Sequence, residues 1–589
     1  MATIYMRMDE VYRTRIEDVE KDDQFFYPVY LQAESCLKTF IKYTDQYWRE
    51  QNPYEQDWLP HASNNRPDEN GALRPSVSKF NPMRLRGYPN NIIAFCADRG
   101  YGKTSAMLSF SKALKNLGKQ QGKLSKFWDE NFEGCRFFPM EPIDPTVLEN
   151  KDQIIPTIIS RMFTEFADHA RRLRTEQNSD REQYTYHKTF SNQELRERQQ
   201  KLLQLFQDCY RLADDQKDDK KHNDSYDDLQ LLADRGDSSN FKVRFFDLVW
   251  EYLKFMCLDP HGHSTANSQK SFLVIQIDDA DMNPAHAYEV VEDLRKYCVL
   301  PNVIILFATN LEQLEMCVEQ HFLKSFEILR KSAVNKDHES ENTVLETRRH
   351  CHHTAVSYTD KLIPSLHRII LPNINDTLQN YGTPVFLHHD RFHKDTDAPV
   401  EYQDALIKLL NERCMLALEK EPRKLHPFLP RRMRELTHFL NRLISMKTVD
   451  LTQRKLLEWA VGAPGCEDLS PAAHTLKGNL EKMLEYLVSD WSDLALDTWQ
   501  RTVIREIHRA STDRKIIAAL DAIRQSGHSD LKSPCNTWKI LTDCIAEFES
   551  KGARAFVCAL ELYFQLYKNL LTVNDCIRMY TARGGHGNA

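Results

Sequence analysis

The chain has 589 residues, is 41% hydrophobic and carries a formal net charge of −7. That length asks for more than one domain and that composition supplies ample core. The acidic balance argues against nucleic-acid binding over the whole surface, leaving only local basic patches such as Arg171-Arg172-Leu173-Arg174 and Arg431-Arg432-Met433-Arg434. No run reaches the roughly 18–20 apolar residues of a membrane span, and residues 1–10 lack the apolar stretch of a secretory signal, so a cytoplasmic protein is expected. The fourteen cysteines are scattered with no C-x-x-C pair, which excludes dithiol redox and zinc-knuckle motifs and suits buried, reduced packing residues.

Residues 1–80 read as an N-terminal extension, with helical spacing from Val29 to Trp48 and a Pro/Asn/Asp-rich loop from Asn52 to Pro75. The next apolar run, Ile92 to Cys96, reads as a buried strand. It enters Ala97-Asp98-Arg99-Gly100-Tyr101-Gly102-Lys103-Thr104-Ser105, and a helical pattern follows from Ala106 to Leu117. Strand, glycine loop, Lys-Thr and helix form the context of a phosphate-binding loop. Glycines let the backbone wrap so that N–H groups meet phosphate oxygens, and the helix N-terminus adds partial positive charge. Lys103 would reach the β- and γ-phosphates of a nucleoside triphosphate, and Thr104 would ligate Mg²⁺. The full pattern asks for glycine where this chain has Ala97; alanine fits if φ there is negative.

A charged helical insertion is expected over about 165–270, with a polar surface loop at Asp214–Asp224 and helical spacing from Phe241 to Met256. Ser271 to Asp278 then reads as a strand buried on both faces that ends in Asp278-Asp279, with Asp281 close behind. Strand C-termini face the ligand crevice in parallel sheets. Asp278 would hold Mg²⁺ through water, and Asp279 would orient or polarise the attacking water, with Asp281 as a second choice. The plain structural alternative is an acidic turn after a core strand. A third strand, Asn302 to Thr309, ends in Asn310, which would bond the attacking water or the phosphate; Thr309 is the alternative.

A second insertion, about 325–357, carries Arg348-Arg349-His350-Cys351-His352-His353. Adjacent ligands cannot converge on one zinc ion from a single element, so an exposed basic turn is expected there. Residues 400–447 read as a small helical lid. Residues 448–589 read as all-helical, with segments Leu476–Leu496, Trp499–Ala510, Lys515–Arg524 and Trp538–Tyr567 before a glycine-rich end.

Taken together, Gly100 to Thr104, Ile277 to Asp279 and Phe307 to Asn310 resemble the Walker A, Walker B and sensor 1 motifs of AAA+ and STAND-like ATPases. The resemblance implies an α/β P-loop core over 81–399 with a helical lid, ATP and Mg²⁺ as cofactors, and ATP hydrolysis. Tyr358 to Pro372 resembles the fifth core strand and its approach. Pro430 to Leu440 resembles the lid helix whose arginine reaches the phosphates, with Arg434 the first choice and Arg432 the second. A ring-forming homo-oligomer is implied, with Arg348, Arg349 or Arg368 acting on a neighbour's site. The turn Phe138 to Asn150, built on Ile143-Asp144-Pro145-Thr146, is similar to ATPases of bacterial antiviral defence, above all the subunit that pairs with an adenosine deaminase effector. The alternatives are a STAND-type signalling switch and a DNA-associated AAA+ regulator; no helix-turn-helix stands out after the lid to favour the latter.

Overall fold

Two small sheets and the helices around them organise the computed structural model, which describes residues 2–6, 16–51, 89–117, 125–148, 153–179, 188–214, 238–259, 263–264, 267–332, 341–380, 383–389, 398–414, 416, 418, 420, 425–426, 429–449 and 470–486. Strand β1 (Ala2–Met6) leads to helix α1 (Tyr27–Gln51), which contains the expected Val29–Trp48 pattern. Strand β2 (Ile92–Cys96) is buried throughout and passes through the glycine loop into α2 (Lys103–Leu117). Strand β3 (Arg136–Pro139) follows. The first insertion forms three helices, α3 (Ile154–Ser179), α4 (Lys188–Asp214) and α5 (Ser238–Met256).

Strand β4 (Ser271–Asp278) is buried until its last residue, helix α6 (Ala287–Asp293) follows, and β5 (Val303–Thr309) is buried along its whole length. Helices α7 (Leu311–Ser332) and α8 (Glu341–Leu362) pack against each other before the short strand β6 (Arg368–Ile370). Helix α9 (Ile374–Asn380), strands β7 (Val385–His389) and β8 (Val400–Glu401), and helices α10 (Tyr402–Cys414), α11 (Met433–Ile444) and α12 (Ser470–Glu485) complete the described chain.

The main sheet has the order β3-β4-β5-β2-β6 and every described pair is parallel. A parallel sheet must be covered on both faces, and alternation of side chains divides its residues between two apolar clusters. Ile93, Phe95, Val274, Leu306 and Ile369 face one cluster, with α1, α2 and the lid. Ile92, Ala94, Leu273, Ile275 and Ile305 face the other, with the insertion helices. The α/β architecture is therefore three-layered.

Two expectations change. The basic run at Arg348–His353 is not a turn but part of α8. Cys351, Ala355 and Thr359 recur at helical spacing and are buried, so the run is held as a helix by its apolar stripe. The region 400–447, expected to be all helical, opens with strand β8, which pairs antiparallel with β7 while β7 pairs in parallel with β1, to form a second sheet. The N-terminal residues are built into the core: Ile4, Phe26 and Leu37 share a cluster with Phe110 of α2 and with Leu406 and Phe439 of the lid.

The expected loops at 52–75 and 215–224 and the helical segments beyond 486 lie outside the described residues. Among the described residues, no helix is long and apolar enough to cross a membrane, and no three or more His, Cys, Asp and Glu side chains come together as a set of metal ligands. The nine described cysteines are buried and none is in a disulfide.

Candidate functional site

The glycine loop joins the C-terminal end of β2 to the N-terminus of α2. Gly100 and Gly102 have φ of +89° and +96°, a region that side-chain-bearing residues rarely adopt. Space is also short: a Cβ at Gly100 would lie 3.3 Å from the Arg434 Cβ, and one at Gly102 3.2 Å from the Phe26 ring. Ala97 is not among the residues with positive φ, so alanine fits where the pattern asks for glycine. Its amide continues the strand by donating to the Thr309 carbonyl at 3.3 Å.

Lys103 is buried and its Nζ donates to the Ala97 carbonyl at 3.0 Å, so its ammonium is folded inside the curve of the loop. The Thr104 Oγ1 donates to Asp278 Oδ1 at 2.9 Å. This contact joins the first turn of α2 to the end of β4.

The sheet order explains how the carboxylates arrive. Strand β5 lies between β2 and β4, so Asn310 sits between the glycine loop and Asp278-Asp279. The Asn310 Nδ2 donates to Asp98 Oδ1 at 2.9 Å, and its Oδ1 accepts from the Gln313 amide at 3.1 Å, capping α7. Asn310 is thereby tied to the loop on one side and to a helix start on the other.

Asp279 adopts a left-handed backbone, φ 51° and ψ 34°. A strained residue directly after a core strand is common at functional sites. Burial raises the Asp278 carboxyl to about 6; Asp279 and Asp144 add to the rise while the Thr104 hydroxyl and Lys103 oppose it. Burial likewise raises Asp279, with Asp281 and Asp144 adding to it, and Lys103 and Arg434 pulling it back. The site is thus a partly buried group of carboxylates facing one lysine, and an added cation would relieve their repulsion.

Asp281 and Thr309, the second choices, are buried and satisfy each other: the Thr309 Oγ1 donates to Asp281 Oδ1 at 3.0 Å. That pairing turns both into the core.

The start of α11 closes the site from above. The Arg434 amide donates to the Gly100 carbonyl at 3.0 Å. Arg432 lies over the Tyr101 ring at 5.3 Å and pairs with buried Glu435 at 3.7 Å. Glu435 Oε2 also accepts from the Arg431 and Arg432 amides. Arg432 is therefore committed to the loop and its own helix, while exposed Arg434 acts on Asp279. Ser105 lies in the first turn, where its carbonyl accepts from the Ser109 hydroxyl at 2.6 Å.

The three arginines expected to act on a neighbour differ in freedom. Arg368 is folded onto its own chain, donating to the Ile363 carbonyl at 2.7 Å and to Asp360 at 2.5 Å. Arg348 is 75% exposed, with a 3.8 Å approach to Glu319, and Arg349 is exposed. Both lie in α8, about 20 Å along the axis from its end at Leu362 at ~1.5 Å per residue.

Three residues near the site are not among the site candidates read from the sequence. Asp144, in the Ile143-Asp144-Pro145 turn, caps the following turn through Thr146 and raises both site aspartates. Its Asp-Pro-Thr turn was visible, but its proximity to β4 depends on Ile143 bridging Ile277. Asp98 is a loop residue whose partner is 212 residues away. Phe26, in the turn before α1, packs on Gly102, and nothing local signals it.

Comparison with protein-family models and with curated proteins finds no match.

Proposed function

We propose that this chain is a Mg²⁺-dependent ATPase of the AAA+ type, with ATP held between the glycine loop and the lid. The observation that carries the reading is the 2.9 Å contact between Thr104 and Asp278 at the mouth of a glycine loop containing Lys103. A hydroxyl and a carboxylate are hard oxygen ligands, the donor type Mg²⁺ takes alongside water and substrate phosphate. Mutual repulsion among Asp278, Asp279 and Asp144 fits the same cation. When bound, Mg²⁺ would neutralise developing charge on the phosphates.

The residues of this chain then divide the work. The Lys103 ammonium leaves the Ala97 carbonyl to meet the β- and γ-phosphates. Loop amides from Gly100 to Thr104 and the start of α2 cradle them. Asp279 accepts a proton from, or orients, the attacking water, and the Asn310 amide holds that water in line. Arg434 reaches from the lid to the terminal phosphate, so loss of that phosphate alters lid contacts. Order β3-β4-β5-β2-β6 supports this assignment because it interposes Asn310 between loop and carboxylates.

Assembly into a homo-oligomeric ring, and activation of a partner effector such as a deaminase in antiviral defence, rest on the sequence resemblance, the latter on the turn around Asp144. One observation favours a second reading, a STAND-type switch: the Arg434 amide bonded to the Gly100 carbonyl holds the lid directly on the loop.

The test is phosphate release from Mg·ATP by the full chain and by Lys103→Ala. Equal rates would remove the ATPase reading. Native mass of Asp279→Asn with and without Mg·ATP separates the alternatives: a discrete large oligomer stabilised by ATP supports the ring, and a monomer throughout supports the switch.

A further inference from the structure

Asp98 and Asn310 meet at the end of the main sheet where the neighbouring parallel strands β2 and β5 stop. The register pairs Cys96 with Thr309, and the Ala97 amide donates to the Thr309 carbonyl at 3.3 Å. The chains therefore leave the sheet side by side, and the Asn310 Nδ2 reaches Asp98 Oδ1 at 2.9 Å. Asp98 is exposed and Asn310 half-buried. A surface contact of this kind adds little to stability, so its value lies in what it does to Asn310.

The two partners of Asn310 fix which way its carboxamide points. Gln313 presents an amide N–H and Asp98 a carboxylate, so the oxygen must face the first and the nitrogen the second. Nδ2 carries two hydrogens, and Asp98 takes one of them, leaving one to give. Serine or threonine would also cap α7, but Asp98 would consume the single hydroxyl hydrogen. Aspartate would cap it too, and would set two carboxylates against each other. Asparagine is the capping residue that satisfies both anchors and keeps a donor in hand.

We propose that Asp98 is a positioning residue, which acts through Asn310 by aiming that remaining hydrogen at the attacking water or the terminal phosphate. This inference rests on the ATPase reading above. Asp98 is not the group that takes the proton: one of its oxygens is committed to Asn310 and its side chain stands in solvent, whereas Asp279 lies half-buried at the end of β4.

The test is steady-state phosphate release from Mg·ATP by the full chain and by Asp98→Ala, Asp98→Asn, Asn310→Ala and the double variant of Asp98→Ala with Asn310→Ala. A misplacement of about 1 Å can cost ~10²-fold. The kcat of Asp98→Ala should therefore fall roughly ten- to a hundredfold, with KM moved by no more than about threefold. Asp98→Asn keeps an acceptor oxygen of the same reach and should recover most of the loss. With Asn310 already replaced, Asp98→Ala should cost less than about twofold, since residues that act through one contact are not additive. If Asp98→Ala melts below the parent, Asp98→Leu, which keeps the shape without an acceptor, should show the same loss.

Undiminished turnover by Asp98→Ala, beside an active parent, would overturn the positioning role and leave the ATPase reading intact. Asp98→Asn no better than Asp98→Ala would overturn it in favour of the carboxylate charge itself. An undiminished effect of Asp98→Ala in the Asn310→Ala background would overturn the route through Asn310. A parent that releases no phosphate would remove the ATPase reading and this role with it.

Discussion

Thr104 and Asp278 are 174 residues apart in the chain, yet the threonine hydroxyl donates to the aspartate at 2.9 Å. One belongs to the first turn of α2 and the other to the end of β4, and a strand lies between β2 and β4. The contact therefore measures whether the sheet has brought both halves of the proposed Mg²⁺ site together.

Replacing Asp278 by Asn should remove the anionic ligand and keep the hydrogen bond acceptor. Phosphate release is expected to fall about 10²-fold or more, for the several kcal/mol a metal supplies in charge stabilisation. The decisive measurement is rate against Mg²⁺ concentration. A variant with unaltered Mg²⁺ dependence would show that Asp278 holds no metal.

Asp279→Asn should separate binding from chemistry. Loss of a general base typically costs 10²–10⁴-fold in rate, so turnover should drop by roughly that range. ATP affinity, read by equilibrium dialysis, should stay within a few-fold of the parent. Turnover at the parent rate would reassign the water-orienting role.

Gly102→Ala should weaken nucleotide binding for two reasons that can be separated. The positive φ costs about 1–2 kcal/mol with any Cβ, and that Cβ also meets the Phe26 ring at 3.2 Å. Adding Phe26→Ala relieves only the second. The double variant is thus expected to remain impaired in ATP binding and to be less stable in urea than Gly102→Ala, since Phe26 is buried. Full rescue of binding would mean that crowding, and not backbone conformation, controls the loop.

Arg434 and Arg432 should respond differently. Arg434→Ala removes the lid charge that acts on Asp279 and should lower turnover. Arg432→Ala removes the contact with Tyr101 and the pairing with Glu435. It should loosen the lid by about 0.5–1 kcal/mol, the value of a partly exposed cation–π contact, visible as faster nucleotide release. The reverse pattern would exchange their assignments.

Glu292 offers a stability test that does not involve the site. Burial would raise its carboxyl, but hydrogen bonds from Arg295 and Tyr358 outweigh this and hold it at about 2, below its usual 4.5. A depressed carboxyl contributes stability that is complete above pH ~4.5 and is lost as pH falls towards ~2. The melting-temperature gap between the parent and Glu292→Gln should therefore be widest near neutrality and narrow through that acidic window. A gap independent of pH would show that packing alone accounts for the effect.

Local pattern made much of the core legible. Runs such as Ile92–Cys96, Phe272–Ile277 and Val303–Ala308 are apolar at every position or nearly so, which only a strand covered on both faces requires. Gly100, Gly102, Lys103 and Thr104 fall within five consecutive residues, so their chemistry could be read without knowing the fold. Arg348–His353 misled for a local reason: the polar residues dominate the run, and the buried stripe of Cys351, Ala355 and Thr359 extends beyond it.

What the sequence by itself determined was the loop, its helix, the buried strands and the carboxylates at the end of one of them, because each depends on residues adjacent in the chain. Tertiary structure alone decided the neighbours. It placed the Arg434 amide on Gly100 and the Arg432 guanidinium over Tyr101, turned Asp281 and Thr309 towards each other, and brought Asp144 and Phe26 to the site. It also joined β1 to β7, making the N-terminal strand part of the second sheet. These relationships depend on strand order and long-range packing, which no periodicity encodes, since residues far apart become partners only after the layers assemble.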